Sequence, residues 1–259
     1  MLVVGERINI MSKEIGAAMR ERKPEPIKKL AKAQVDAGAN MLDLNIGPAS
    51  KGSPELMEWL VKTVQDAVDA PLSLDTTNPE AMEAGLKVHK GQALINSASA
   101  APARLETMVP LAAKYNAKII GLTLRERGLP RDANERVEIA VEIMTAAASQ
   151  GISNENLYLD PLILPVAVSQ QHAPEVIEAV KMFKQLADPP PKTIVGLSNT
   201  SNSAAKEVKS ILDRIYLVML MDAGLDAAIM DPLDKELMNV LKTVKVFHNE
   251  ILYAHSYLD

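Results

Sequence analysis

Residues 195–199, VGLSN, are an apolar stretch that stops abruptly at a serine and an asparagine. A strand covered on both faces offers no partners to polar side chains along its length, so polar residues at its end need an explanation. Four other apolar stretches end in the same way: LDLN at 42–45, LSLDT at 72–76, LIN at 94–96 and YLD at 158–160. A single cause should account for all five.

Short apolar stretches rich in β-branched residues alternate with longer segments along the whole sequence. Because the short stretches are apolar nearly throughout, they are typical of parallel strands that are covered on both faces. The predicted strands are 2–8, 41–46, 71–75, 93–97, 118–124, 157–163, 193–198 and 227–230.

The longer segments have the three- and four-residue apolar spacing of helices. Asn78 before Pro79 is a typical helix start, and Gly38, Gly151 and Gly224 occupy positions typical of helix ends. Three clear helix faces are Leu56, Trp59, Leu60, Val64 and Val68; Val208, Ile211, Leu212, Ile215 and Met219; and Leu237, Val240, Leu241 and Val244.

Eight strand-then-helix units in one chain predict an α/β fold, the (β/α)8 or TIM barrel, as a single domain over residues 1–259. The structural alternative is a doubly wound open sheet. No glycine-rich dinucleotide loop follows any predicted strand, which disfavours that alternative.

Composition excludes several classes of function. The sequence has no cysteine, which removes disulfides, thiolate metal sites and thiol nucleophiles. Its net charge of −5 disfavours nucleic acid as a partner. The start MLVVGERIN lacks the features of a signal peptide, and charges interrupt every later apolar run. We therefore expect a cytoplasmic protein that binds neither nucleic acid nor membrane.

In such a barrel the carboxyl ends of the strands meet at one mouth, where catalytic residues lie. Most polar residues at the predicted strand ends are carboxylates or carboxamides: Glu6, Asn9, Asp43, Asn45, Asp75, Asn96, Thr123, Asp160, Ser198, Asn199 and Asp231. Asp and Asn also cap helices, so any one of them can be structural, whereas the shared chemistry of so many strand ends indicates a binding site.

Carboxylates accept hydrogen bonds and carboxamides both donate and accept them, so this set matches a flat heterocycle with an amino-pyrimidinone edge. A phosphate ligand fits poorly, because GLSNTSNS at 196–203 contains no Lys or Arg. The four histidines lack metal-ligand spacing, so we expect no protein-bound metal.

Seven motifs together resemble the pterin-binding methyltransferase family, and within it the methyltetrahydrofolate:corrinoid protein methyltransferases. The folate domain of cobalamin-dependent methionine synthase is a more distant relative. The motifs cover nearly the whole chain in order: GERIN (5–9), LDLNIGP (42–48), LDTTN (74–78), INS (95–97), YLDPLILP (158–165), HAPEV (172–176) and VGLSN (195–199).

The resemblance implies that the mouth binds tetrahydrofolate or 5-methyltetrahydrofolate as substrate. A methyl group would pass between its N5 and the cobalt of a corrinoid, or cobalamin, carried by a partner protein. The resemblance also implies a homodimer. The apolar run at 216–221 would serve either a dimer interface or packing against the barrel.

The resemblance assigns roles to nine residues. It places Asp75, Asn96 and Asp160 on the pterin ring. Asn199 would lie near N5 as the catalytic residue, supplying a hydrogen bond that strengthens in the transition state. A carboxamide does not titrate, so the N5 proton would come from solvent through a network that Asp160 or Asp75 would influence. The remaining residues, which would line the ring or act as inner partners, are Glu6, Asn9, Asp43, Gly196 and Ser198.

The sequence leaves open the class of function, the direction of methyl transfer and the role of three arginines. A dihydropteroate synthase-like enzyme would share the barrel and the pterin site. Its sequence pattern requires two basic residues at the positions that Asn199 and Thr200 occupy here. A non-catalytic folate-binding barrel is the other alternative. The direction of methyl transfer is also undetermined. Arg125, Arg127 and Arg131 would either be solvated or contact the folate tail or corrinoid partner.

Overall fold

The computed structural model describes residues 1–48 and 52–258. Within these ranges eight parallel strands close into a barrel in chain order, with the last strand hydrogen-bonded to the first. The strands are β1 (Leu2–Asn9), β2 (Met41–Asn45), β3 (Leu72–Asp75), β4 (Leu94–Ser99), β5 (Lys118–Leu122), β6 (Leu157–Asp160), β7 (Lys192–Gly196) and β8 (Ala227–Met230). The barrel prediction is confirmed, and the open sheet is excluded.

Helices surround the barrel and connect each strand to the next. In the described part of the chain they are α1 (Lys13–Arg20), α2 (Pro24–Asp36), α3 (Ser53–Gln65), α4 (Pro79–Val88), α5 (Pro102–Lys114), α6 (Ala133–Ser149), α7 (Val166–Ser169), α8 (His172–Phe183), α9 (Lys206–Asp222) and α10 (Lys235–Phe247). The Asn78 side chain caps α4 by accepting from the backbone N–H groups of Glu80 and Ala81.

Four strands, β2, β5, β6 and β7, end one to three residues earlier than predicted. The differences in β6 and β7 shape the mouth. β6 ends at Asp160 rather than at residue 163, because Leu162 adopts a left-handed backbone with φ 65° that cannot continue a strand. β7 ends at Gly196, and Leu197–Asn199 form a 3-10 turn. Ser198 and Asn199 therefore lie on a tight turn at the strand end.

The core has two parts. The larger part packs the outer faces of the strands against the helices and includes Leu60, Leu72 and Phe183. The smaller part takes one side chain from each of seven strands and fills the barrel interior: Val4, Met41, Leu94, Ile120, Tyr158, Ile194 and Ala227. These side chains form an apolar floor beneath the mouth.

Helix α9 forms where the apolar spacing predicts it, but its predicted apolar face points outward. Val208, Ile211, Ile215 and Met219 are 42%, 53%, 57% and 48% exposed. The side that packs on the barrel instead carries Tyr216, Leu217, Leu220 and Met221. Four residues of the 216–221 run are thus used in barrel packing.

Across residues 1–48 and 52–258, no helix combines the length and apolarity required to cross a lipid bilayer.

Candidate functional site

The mouth contains a cavity directly above the apolar floor. Alternate residues of a strand point to the same side, so the residue two positions beyond each floor residue also points into the barrel, one layer nearer the mouth. All seven residues reached in this way line one cavity of about 280 Å³: Glu6, Asp43, Asn96, Leu122, Asp160, Gly196 and Ile229. The strand pairing that closes the barrel therefore brings together side chains that are far apart in sequence.

All nine residues to which the sequence analysis gave a site role line this cavity: Glu6, Asn9, Asp43, Asp75, Asn96, Asp160, Gly196, Ser198 and Asn199. The lining also includes residues without a predicted site role, namely Asn45, Ser97, Leu122, Leu162 and Ile229. Leu122 and Ile229 follow the same two-residue rule, which is the sequence signal that would have found them. Their apolar side chains suit the faces of a flat ring.

Two polar strand-end residues do not line the cavity. Thr123 is fully buried, and its Oγ1 donates to the backbone oxygen of Asp160 at 2.9 Å. Asp231 lies 3.3 Å from Arg7 in an ion pair and accepts from the Leu233 N–H. Both residues support the mouth rather than face its interior.

Asp43 is a buried hub that orients its neighbours. Its Oδ1 accepts from Ser73 Oγ at 2.6 Å and from Asn96 Nδ2 at 3.1 Å. Since this bond holds the amide nitrogen of Asn96, the amide oxygen remains to accept from a ligand. Burial raises the pKa of Asp43, and its two hydrogen bonds oppose that shift.

Asp75 lies beside Asn45, whose Nδ2 donates to Asp75 Oδ2. The Gly47 N–H donates to Asn45 Oδ1 at 2.9 Å and fixes the orientation of that amide. Burial raises the pKa of Asp75, and repulsion from the nearby Asp43 carboxylate raises it further. Because two buried carboxylates in one site resist ionising together, Asp75 favours its protonated form near neutral pH.

Asp160 is held by the loop that follows β6. Its Oδ1 accepts from the Leu162 N–H at 2.8 Å, and the buried Arg136 donates from Nε to the Pro161 oxygen at 2.7 Å. Burial raises the pKa of Asp160 to about 7, opposed by the Leu162 hydrogen bond and by the charge of Arg136. The loop thus presents a carboxyl group that titrates near neutral pH.

Asn199 occupies the exposed end of the 3-10 turn, and its side chain has no hydrogen-bond partner in the described part of the chain. A Cβ added to Gly196 would lie 3.0 Å from Asn199 Nδ2. A β-carbon at 196 would push this amide away from the strand end, so glycine permits the close approach. The Asn199 carboxamide is free to meet a ligand at the edge of the cavity.

Glu6 contacts the same turn. Ser198 Oγ donates to Glu6 Oε1 at 2.5 Å, linking β1 to the residue beside Asn199. Asn9 follows on β1, and its Oδ1 accepts from the Met11 N–H at 2.9 Å. A second cavity of about 550 Å³ adjoins the first here and is lined by Glu6, Arg7, Asn9, Met11, Ser12, Ser198, Asn199 and Asn202.

The three arginines after β5 lie apart from both cavities. Arg125 forms ion pairs with Glu135, Glu138 and Glu142, and Arg131 pairs with Glu135 at 3.0 Å. These contacts use the guanidinium groups of Arg125 and Arg131 to hold the loop against α6. Over the described ranges, no group of three or more His, Asp or Glu side chains is arranged to hold a metal ion.

Comparison with known proteins agrees with this geometry. Residues 5–231 match the family of pterin binding enzymes. A methylcorrinoid:tetrahydrofolate methyltransferase from Eubacterium limosum is 24% identical over 243 residues, covering 93% of this chain and 89% of that protein. Methionine synthase of Mycobacterium tuberculosis is 29% identical over 240 residues, covering 88% of this chain but 20% of that longer protein.

Among solved structures, a dihydropteroate synthase from Xanthomonas albilineans, in complex with indole-2-carboxylic acid and 6-chloroguanine, superposes with a TM-score of 0.70. It is 16% identical in sequence, and the match covers 98% of this chain and 94% of that one. At this identity the likeness establishes a shared fold. The family match over residues 5–231 includes part or all of each strand and every residue that lines the cavity, and the chain therefore belongs to the pterin-binding enzymes.

Proposed function

We propose that this protein is a methyltransferase that moves a methyl group between N5 of (methyl)tetrahydrofolate and the cobalt of a corrinoid protein. The observation that carries the proposal is the unpartnered Asn199 carboxamide at the edge of a cavity lined by carboxyl and amide groups. The similarity to a protein named for this chemistry, over 93% of this chain and 89% of that protein, supports it.

The proposed pterin position follows from hydrogen-bonding capacity. The donor-rich amino-pyrimidinone edge would contact the carboxyl groups of Asp75 and Asp160 and the amide oxygen of Asn96. A protonated Asp75 can donate as well as accept, which suits a ring edge that alternates donors and acceptors. Leu122 and Ile229 supply apolar contacts to the ring.

Asn199 would act on N5. When the methyl group leaves, the electron pair of the C–N bond remains on nitrogen, and a hydrogen-bond partner there is worth more in the transition state than in the bound substrate. Asn199 has no competing partner within the described ranges, so it can turn toward N5 without breaking another contact. It stabilises the nitrogen but supplies no proton, because a carboxamide does not titrate.

The corrinoid partner would dock on the mouth. Transfer between nitrogen and cobalt requires the two atoms at contact distance, so the cobalt must reach the cavity. Four large apolar side chains are exposed in the segments that follow strand ends: Met11 (82%) after β1, Leu129 (53%) after β5, Val168 (73%) after β6 and Leu233 (42%) after β8. Exposed apolar residues around an open cavity are suited to a protein partner.

Dihydropteroate synthase chemistry is less well supported. It requires cationic partners for a diphosphate leaving group, and the described lining of the 280 Å³ cavity includes no Lys or Arg. Arg7 borders the second cavity but forms an ion pair with Asp231. Asn199 and Thr200 follow β7 where basic residues would be needed.

The test is methyl transfer by the purified protein. Mixed with 5-methyltetrahydrofolate and free cob(I)alamin, it should produce methylcobalamin and tetrahydrofolate, and methylcobalamin with tetrahydrofolate should give the reverse reaction. Tight folate binding without transfer in either direction would identify a non-catalytic binding protein. Formation of a pteroate from a pterin diphosphate and p-aminobenzoate would instead identify a synthase.

We also propose that the protein is a cytoplasmic homodimer formed through α9. Its outward apolar stripe adjoins a groove of about 380 Å³ lined by Val166, Thr200, Ile211, Leu212, Ile215, Tyr216 and Met219. The stripe is nearly symmetric about its midpoint, so two antiparallel copies would pair Val208 with Met219 and Ile211 with Ile215. Lys206 at one end would then meet Asp222 of the second copy, so the charges at the ends also match.

A further inference from the structure

The two mouth cavities meet at four residues. Glu6, Asn9, Ser198 and Asn199 line both the 280 Å³ cavity and the 550 Å³ cavity beside it. Glu6 is the one member of this set whose side chain gains or loses a proton in the physiological range of pH. Asp75 and Asp160 line the first cavity but not the second. Glu6 therefore stands between the proposed pterin pocket and the outer cavity.

The two oxygens of Glu6 have different surroundings. Oε1 accepts from Ser198 Oγ at 2.5 Å. Oε2 has no hydrogen-bond partner within residues 1–48 and 52–258. The Ser198 bond fixes the carboxyl group in place through one oxygen and leaves the other available to carry a proton and to exchange it.

Charged groups from three strands surround Glu6. The net effect of its surroundings raises the pKa of Glu6 to about 7. Burial is the largest cause, and the charges of Asp231 after β8 and Asp43 on β2 act in the same direction. The Ser198 hydrogen bond and the Arg7 guanidinium lower the pKa. As a result, the protonated and ionised forms are both well populated near neutral pH, as efficient proton exchange requires.

We propose that Glu6 exchanges with the folate the proton that N5 gains or loses during methyl transfer, and exchanges it with solvent through the outer cavity. This inference rests on the proposed function. It adds a group that can carry the proton, which the Asn199 carboxamide cannot do.

The step balances in both directions. When methyltetrahydrofolate is demethylated, the C–N electron pair stays on N5 and takes the proton from the Glu6 carboxyl group. The electron pair of Co(I) forms the Co–C bond, and cobalt becomes Co(III). When tetrahydrofolate is methylated, the Glu6 carboxylate takes the N5 proton, N5 bonds to the methyl group, and the Co–C pair returns to cobalt.

The experiment measures single-turnover methyl transfer across pH with free cobalamins, in both directions. The wild type should show rates that fall with pH for demethylation and rise with pH for methylation, with a shared inflection near pH 7. Glu6→Gln keeps an oxygen that accepts from Ser198 but carries no exchangeable carboxyl proton. It should lower both rates by about 100-fold and remove the inflection, while folate affinity changes less than about threefold.

Two further variants should shift the pKa of Glu6 in opposite directions. Ser198→Ala removes a bond that stabilises the carboxylate and should move the inflection to higher pH. Asp231→Asn removes a repelling charge and should move it to lower pH. As a control, Asn199→Ala should reduce the rate without moving the inflection. The shifts of the inflection distinguish a proton-carrying role of Glu6 from a structural one. They remain informative if Glu6→Gln folds poorly.

The outcomes separate the two proposals. A wild-type protein that transfers methyl groups while Glu6→Gln retains its rate and inflection would overturn the role of Glu6 and leave the proposed function intact. An inflection that survives in Glu6→Gln but is lost in Asp160→Asn would assign the proton to Asp160 instead. A wild-type protein inactive in both directions would refute the proposed function and this inference with it.

Discussion

Replacing Asn199 by alanine tests the transition-state role of this residue. The side chain is exposed and has no hydrogen-bond partner in the described structure, so its loss breaks no internal contact. We expect the free energy of unfolding to change by less than about 0.5 kcal/mol. Any large effect on methyl transfer would therefore arise from the lost carboxamide itself.

The expected size follows from the number of hydrogen bonds removed. Asn199→Ala deletes one donor at the reacting nitrogen, and loss of one such donor typically costs about 100-fold in rate, or about 2.7 kcal/mol. Before reaction the same bond is an ordinary one to a neutral amine. Folate affinity should therefore weaken by about 1 kcal/mol or less.

The assay is stopped-flow single-turnover transfer from 5-methyltetrahydrofolate to cob(I)alamin, with folate affinity measured by calorimetry. Asn202→Ala is the matched control, because Asn202 lines the second cavity but not the first and lies three residues further along the chain. It should remain within about threefold of the wild-type rate. An Asn199→Ala rate equal to that of the control would remove Asn199 from the mechanism.

Four further predictions concern other parts of the molecule. Asp160→Ala should weaken folate binding by about 1–3 kcal/mol in calorimetry, because a ring donor loses its acceptor; native affinity would contradict the proposed pterin position. Gly196→Ala should lower the methyl-transfer rate more than folate affinity, since its Cβ would lie 3.0 Å from Asn199 Nδ2; unchanged kinetics would show that the close approach is unimportant. Asp160 binds protons more tightly in the folded state, with its pKa raised to about 7 from 3.8. Its contribution to the free energy of unfolding should therefore be present at low pH and fall between pH 4 and pH 7, and urea titrations should show a flatter profile in Asp160→Asn. Ile215→Glu on α9 should convert a dimer to a monomer in light scattering, whereas Val141→Glu on α6, at a site 47% exposed, should not; a wild-type monomer would refute the α9 interface.

The barrel was predictable because its signal is local. Each strand is a short apolar run bounded by polar residues, and each helix has a regular apolar spacing, so the order of elements can be read along the sequence. The convergence of the polar strand ends follows from the barrel alone. This convergence brings Asp43 and Asn96, 53 residues apart in sequence, within hydrogen-bonding distance.

Other features depend on contacts that no local pattern encodes. Apolar spacing places Val208 and Ile215 on one helix face, but it does not say whether that face meets the barrel or solvent, and here it meets solvent. The bond between Ser198 and Glu6 joins residues 192 positions apart, and only the closure of β8 onto β1 brings them together. The raised pKa values of the mouth arise from burial, which is a property of the folded structure.

A crystal structure of the protein with 5-methyltetrahydrofolate is the most direct test of the central claim. We predict the pterin in the 280 Å³ cavity, with its ring edge on Asp75, Asn96 and Asp160 and with N5 within hydrogen-bonding distance of the Asn199 carboxamide. A folate bound elsewhere, or bound in this cavity with N5 turned away from Asn199, would contradict the account.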